Sequence, residues 1–157
     1  SDTYALDVLA AVLGQGKVSR LFRDLREDRG LVSQIGVSNM THGVQGVFYM
    51  AAQLPAENLP EAEAAIAEHI RCLQAEPIAE SELARIRTQV ANRFIFANER
   101  PSDRANLYGY YYSQLGDLES ALNYPAYIQS LQVEDIQAAA RCYLSPEAYG
   151  AVIIRPS

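Results

Sequence analysis

Apolar residues recur along this chain in two rhythms. Ala5, Leu6, Leu9, Val12 and Leu13 follow helical spacing, with Asp2 in place to cap the helix and Gly14-Gln15-Gly16 to end it. Val18, Leu21, Phe22 and Leu25 repeat the i, i+3, i+4, i+7 stripe of an amphipathic helix, and Gly30 stands where such a helix takes its left-handed final residue. The charged residues crowded between positions 20 and 29 are then the solvent side of that helix. After Gly30 the rhythm becomes alternation. Leu31, Ser33, Ile35 and Val37 share one face of an extended segment that should stop near Met40. Thr41-His42-Gly43-Val44-Gln45-Gly46 reads as a turn, and 47–54 as the returning strand of an antiparallel hairpin closed at Pro55.

From there the spacing is mostly helical. Asn58 and Glu61 sit at an N-cap and its third helical position, and Ile66, Ile70 and Leu73 mark a buried stripe that runs up to Pro77. Leu83, Ile86, Val90, Phe94 and Ala97 carry a second helix, broken before Pro101. A third is predicted over 102–116, a short fourth over 118–131, and a fifth holding Ile136, Ala139, Ala140 and Tyr143. Residues 149–154 read as a closing strand. No internal repeat or low-complexity linker interrupts this order. The expectation is one α+β domain over 1–157, a small, mainly antiparallel sheet packed against a layer of helices.

Composition narrows the function. With 49% hydrophobic and 20% charged residues the chain can build a core, and its net charge of -6 offers no basic surface for nucleic acid or for an anionic membrane. No window reaches the roughly 18 consecutive apolar residues of a bilayer span. The chain opens without Met, already in a helical pattern, which suggests a piece of a longer protein. Cys72 and Cys142 are far apart, each inside a helical pattern, and are expected as two buried thiols.

Few residues carry the pattern of a reaction. His42 and His69 are too far apart for HExxH or HxxEH, and no CxxC occurs, so none of the common zinc-hydrolase sites can be assembled from this chain. His69 and Cys72, one helical turn apart, offer two ligands where a site needs three or four, and His42 falls in a Gly-rich turn and is expected to be solvated. GxSxG, the phosphate-binding loop and GxGxxG are also missing. Glu61, Glu63, Glu68, Glu80 and Glu82 fall in helix first turns or on polar faces. Tyr108, Tyr111, Tyr112 and Leu115 share a helical face, which serves either as core against the sheet or as an aromatic wall against a peptide. Arg26 stands on the shoulder of the Leu21, Phe22, Leu25 stripe, where it can lean over the start of the next strand. Its guanidinium fork there can hold a carbonyl or carboxylate, or be solvated or paired with a distant carboxylate. Its own helix offers no ion-pair partner, since Phe22, Arg23, Arg29 and Gly30 fill the positions three and four away.

The segment ALDVLAAVLGQGKVSRLFRDLREDRGLV resembles the opening of a C-terminal lobe in the pitrilysin/insulinase/mitochondrial processing peptidase family of inverzincin zinc metallopeptidases. GVFYMAAQLPAENLPEA, IAESELARIRTQVANRF, RANLYGYYYSQLGD and YIQSLQVEDIQAAARCYLSPEAYGAVIIRP agree with it in order, so the resemblance spans nearly the whole chain. It implies repeated α+β lobes paired around a peptide, with zinc held by HxxEH and a downstream Glu in a lobe other than this one. It also implies a strand ahead of Ser1. A lobe of this kind contributes chamber wall and, in active members, an Arg and a Tyr seven positions later that bind the substrate carbonyl. Arg26 occupies the Arg position and Ser33 the Tyr position, where this chain reads GLVS. A serine hydroxyl is too short to reach the carbonyl a phenol would touch, and losing one such donor typically costs about 2.7–4 kcal/mol of transition-state stabilisation.

The resemblance therefore implies a second lobe with no catalytic or metal-binding residues of its own. Its substrate-binding candidates are Arg26 and, in the position of the family Tyr, Ser33. Zinc is expected in the parent protein or a partner subunit. The implied partners are an HxxEH-bearing lobe or subunit and an unfolded peptide, with no nucleic acid and no membrane. Ser33 keeps open a second expectation, an inactive scaffold or interaction subunit of the same family. A third is a small-molecule binding domain with the tyrosines lining its pocket.

Overall fold

A computed structural model describes residues 2–42 and 45–155, with His42 described by its backbone alone. The most apolar stretch becomes the axis of the molecule. Helix α1 (Asp2–Gly14) buries nine of its thirteen residues, with Val8, Leu9 and Leu13 fully enclosed. Strands β1 (Gln34–His42) and β2 (Gln45–Gln53) pair antiparallel, with Val37 opposite Met50 and Asn39 opposite Phe48. Those four residues, with Ile35, form the face turned towards α1; Gly36 and Ala51, and Ser38 and Tyr49, are paired on the other face. The predicted hairpin is present, and its strands reach further than expected, through Thr41–His42 and from Gln45. Its tip, Gly43-Val44, and the expected solvation of the His42 side chain lie outside the described residues.

Gly14 sets how closely α1 crosses the hairpin. A Cβ at that position would lie 2.4 Å from Val37 Cγ2 and 2.8 Å from the Val37 backbone nitrogen, so only glycine fits the crossing.

After a 3₁₀ turn (Ala56–Asn58), helix α2 (Leu59–Ala75) packs against α7 (Val133–Tyr143). Asn58 does not cap α2. Its Nδ2 donates instead to the Leu31 carbonyl at 3.0 Å, tying the helix start to the segment ahead of β1. Helix α3 (Glu80–Ala97) buries Leu83, Ile86 and Val90 and lies along α1 and α6 (Tyr124–Ser130). Helix α4 (Pro101–Leu115) has the expected span and ends in left-handed Gly116. The single helix predicted over 118–131 is two, α5 (Glu119–Leu122) and α6, because Pro125 lacks the N–H that a continuous helix needs and takes a first-turn position instead.

Three further expectations are corrected. Residues 149–154 form no paired strand, and Val152 and Ile154 are each 91% exposed. Pairing depends on a neighbouring strand, which alternation in one segment cannot reveal. Both thiols are exposed, since Cys72 and Cys142 fall beside the buried stripes of Leu73 and of Ala139 and Ala140. The tyrosine face of α4 is not core: Tyr108 and Tyr111 are half-buried, while Tyr112 is 65% exposed and Leu115 also reaches solvent.

Candidate functional site

The charged helix opens as an ordinary turn at Arg20 and Leu21 and then widens into a π-helix over Phe22–Asp28. In a π-helix residues five apart become neighbours. The Arg29 amide accordingly donates to the Asp24 carbonyl at 2.9 Å, and the Arg29 Nε to Asp24 Oδ1 at 2.8 Å. Leu21 and Leu25, both 0% exposed, anchor the widened turn in the core, as the apolar stripe predicts. Gly30, with φ +64°, then reverses the chain so that the amides of Leu31 and Val32 both donate to the Leu25 carbonyl, at 2.7 and 3.3 Å.

That link brings Arg26 and Ser33 to the same end of the hairpin, because each lies one residue beyond it in the chain. Ser33 donates to the Gln53 carbonyl from both its amide, at 2.8 Å, and its hydroxyl, at 3.0 Å, so the hydroxyl is spent on the neighbouring strand. Arg26 is exposed, and its guanidinium carbon lies 4.7 Å from the centroid of the Phe22 ring. Its own helix thus offers a partner after all, an aromatic face instead of a carboxylate. Among the described residues Arg26 makes no hydrogen bond or ion pair.

Behind this end of the hairpin, Asp24 holds the widened turn to α2. His69 Nε2 donates to Asp24 Oδ2 at 2.8 Å, opposite the bond from Arg29. Burial pushes the Asp24 carboxyl up, but the hydrogen bonds from His69 and Arg29 outweigh it and leave it below the ordinary aspartate value. Arg20 forks onto Glu82 of α3 at 3.1 and 2.7 Å. An open cleft of about 530 Å³ separates these elements, lined by Arg20, Arg23, Asp24, His69, Glu82 and Arg85. No local spacing signals the Asp24–His69 contact, since its partners are 45 positions apart.

His69 and Cys72 remain short of the three or four ligands that a metal centre needs. His69 is engaged with Asp24, Cys72 is exposed, and among the described residues no three His, Cys, Asp or Glu side chains converge as ligands. These residues do not fit zinc.

A second polar cluster ties α1 to β1 and α6. Asp7 accepts from Tyr124 Oη at 2.7 Å and from Asn39 Nδ2 at 2.9 Å, while Tyr124 stacks on Phe94 at 4.3 Å and meets Tyr4 edge-on at 5.6 Å. Burial raises the Asp7 carboxyl above its ordinary value despite the bonds from Tyr124 and Asn39, and burial beside Asp7 raises the Tyr124 phenol. Of the α4 tyrosines, Tyr110 donates to the Thr41 carbonyl at 3.0 Å, and burial pushes Tyr111 up to about 12. Asp7 went unnoticed in the sequence because a lone carboxylate on an apolar helix carries no motif.

A family profile described as the peptidase M16 inactive domain matches residues 1–90. An uncharacterized zinc protease of Rickettsia bellii is 29% identical over 150 residues, covering 96% of this chain and 36% of its own length. Zinc protease PqqE of Helicobacter pylori is 30% identical over 159 residues, covering 99% of this chain and 35% of its own. The crystal structure of a protease from Helicobacter pylori superposes with a TM-score of 0.79 at 32% identity, over 93% of this chain and 35% of that one. The chain thus spans little more than a third of the length of the curated relatives it matches.

Proposed function

The chain belongs to the peptidase M16 inactive-domain family, and from that premise we propose that it is the second, non-catalytic lobe of a longer zinc-dependent endopeptidase. It shapes the chamber that receives an unfolded peptide, while zinc and the HxxEH motif are carried by another lobe or by a partner subunit. The observation that carries this reading is the setting of Arg26. A turn seated in the core through Leu25 and held twice through Asp24 supports an exposed guanidinium that, among the described residues, has no carboxylate to neutralise it. Such a fork is available to donate to a carbonyl oxygen or a carboxylate of the peptide, orienting it without taking part in proton or metal chemistry.

We further infer that these 157 residues lack a strand of the complete lobe. The unpaired and apolar segment 149–154 supports this, since a segment of that composition is ordinarily stabilised by a neighbouring strand.

The experiment is peptide cleavage by the complete protein and by residues 1–157 alone. The complete protein should cleave, lose activity to a chelator and recover it with zinc, while the lobe alone should be inactive under the same conditions. Chelator-sensitive, zinc-restored cleavage by the lobe alone would contradict the proposal. Ser33 favours a second reading, an inactive scaffold of the same family, because its hydroxyl is committed to Gln53 and cannot stand in for a phenol. Absence of HxxEH from the complete protein and from every subunit it binds would decide for the scaffold.

A further inference from the structure

We propose that Phe22 is a positioning residue for Arg26, an aromatic platform that holds the guanidinium ready for substrate. The inference rests on the reading that Arg26 meets the peptide, and it adds how that side chain is kept in place.

An exposed arginine has many rotamers, and ordering it at the moment of binding costs affinity. A salt bridge would restrict it, but would also occupy the donors that substrate must use. In this turn no carboxylate stands three, four or five positions from Arg26, and Asp24, two positions away, is bonded on one side to Arg29 and on the other to His69. Arg26 is left with the face of Phe22, 4.7 Å from the ring centroid, which attracts the cation while leaving its N–H donors unspent. Phe22 is itself half-buried at the opening of the π-helix, beside the enclosed Leu21 and one turn ahead of Leu25, so the ring has a fixed base. Phe22 touches no reacting atom in this arrangement; it acts through Arg26.

The test uses the complete protein with its zinc-bearing lobe or subunit, and reads kcat, KM and thermal midpoint for Phe22→Met, Phe22→Tyr, Arg26→Ala and the Phe22→Met/Arg26→Ala double variant. Phe22→Met removes the ring at similar volume and should lower kcat/KM about two- to fivefold, the range of an exposed cation–π contact. Phe22→Tyr should retain it. In the Arg26→Ala background Phe22→Met should have no further effect. The same loss in both backgrounds, or none in either while Arg26→Ala is impaired, would overturn the role of Phe22. An Arg26→Ala variant with unchanged kcat/KM would instead remove the substrate reading of Arg26, and the inference with it. Should Phe22→Met fold poorly, fluorinated phenylalanines at position 22 weaken the ring face at nearly constant shape. A stepwise fall in kcat/KM with fluorination is expected, and a flat response would overturn the proposal.

Discussion

Helices α1 and α4 are of nearly equal length, thirteen and fifteen residues, yet α1 buries nine of them and α4 buries none. Each carries aromatic or aliphatic side chains at helical spacing. What separates them is the number of faces covered: α1 is enclosed by the hairpin, α3, α6 and α7, whereas α4 is held chiefly by α5 and by the bond from Tyr110 to Thr41. Burial on all sides concentrates stability in α1. A helix lying on the surface leaves Tyr112 mostly in solvent, and the loss of that side chain should cost little.

The sharpest way to test this contrast is to truncate one residue on each helix. Leu9→Ala opens a cavity at a fully enclosed position and should destabilise the protein by about 2–5 kcal/mol in denaturant titration. Tyr112→Ala on α4 should stay within about 0.5 kcal/mol of the parent. Comparable losses would erase the distinction. The next largest effect is expected at the tightest contact of α1. Gly14→Ala drives a methyl into Val37 and should cost about 1–3 kcal/mol, as overpacking does, and a Gly14→Ala/Val37→Ala double variant should not recover the loss, because the Val37 backbone nitrogen, at 2.8 Å, and Cβ, at 2.9 Å, stay in place.

Smaller effects should follow pH, with opposite signs at two aspartates. The Asp7 carboxyl is raised in the fold, so the folded state keeps its proton to higher pH than the unfolded chain does. Its contribution is fully present below the ordinary aspartate value and is lost as pH rises through the raised one. Asp24 is lowered, so its contribution is present above the ordinary value and is lost as pH falls through the lowered one. Stability measured against pH should therefore lose an alkaline-going decline in Asp7→Asn and an acid-going decline in Asp24→Asn. The same slope in parent and variant would remove the assigned aspartate from the account. The smallest perturbation is chemical labelling: both Cys72 and Cys142 should react with a thiol reagent in the folded protein, and protection of either would contradict its exposed setting.

The parts of the fold that were legible in the sequence are those fixed by local period. The hairpin follows from alternation through Ile35 and Val37, and α3 from Leu83, Ile86 and Val90, because one buried face imposes its repeat on the chain. The π-helix was not legible, since over seven residues the stripe of Leu21, Phe22 and Leu25 suits an α- or a π-turn equally well. The thiols were misplaced for a related reason: a difference of one residue along a helix separates buried Leu73 from exposed Cys72. At the candidate site, Arg26 is singled out by its place on the stripe and Ser33 by the family resemblance alone, and both remain proposals. The Asp24–His69 bond and the platform under Arg26 depend on packing and on a widened turn, neither of which leaves a mark in residue spacing.

The central claim is that this lobe lends substrate-facing surface, through Arg26, to a reaction carried out elsewhere. The most direct measurement is peptide hydrolysis by the complete protein carrying Arg26→Ala, with the thermal midpoint recorded alongside. The fold should be unchanged and kcat/KM should fall roughly ten- to hundredfold, the range for losing a charged hydrogen-bond donor. Unchanged kcat/KM, or a loss of stability large enough to explain any fall, would contradict it.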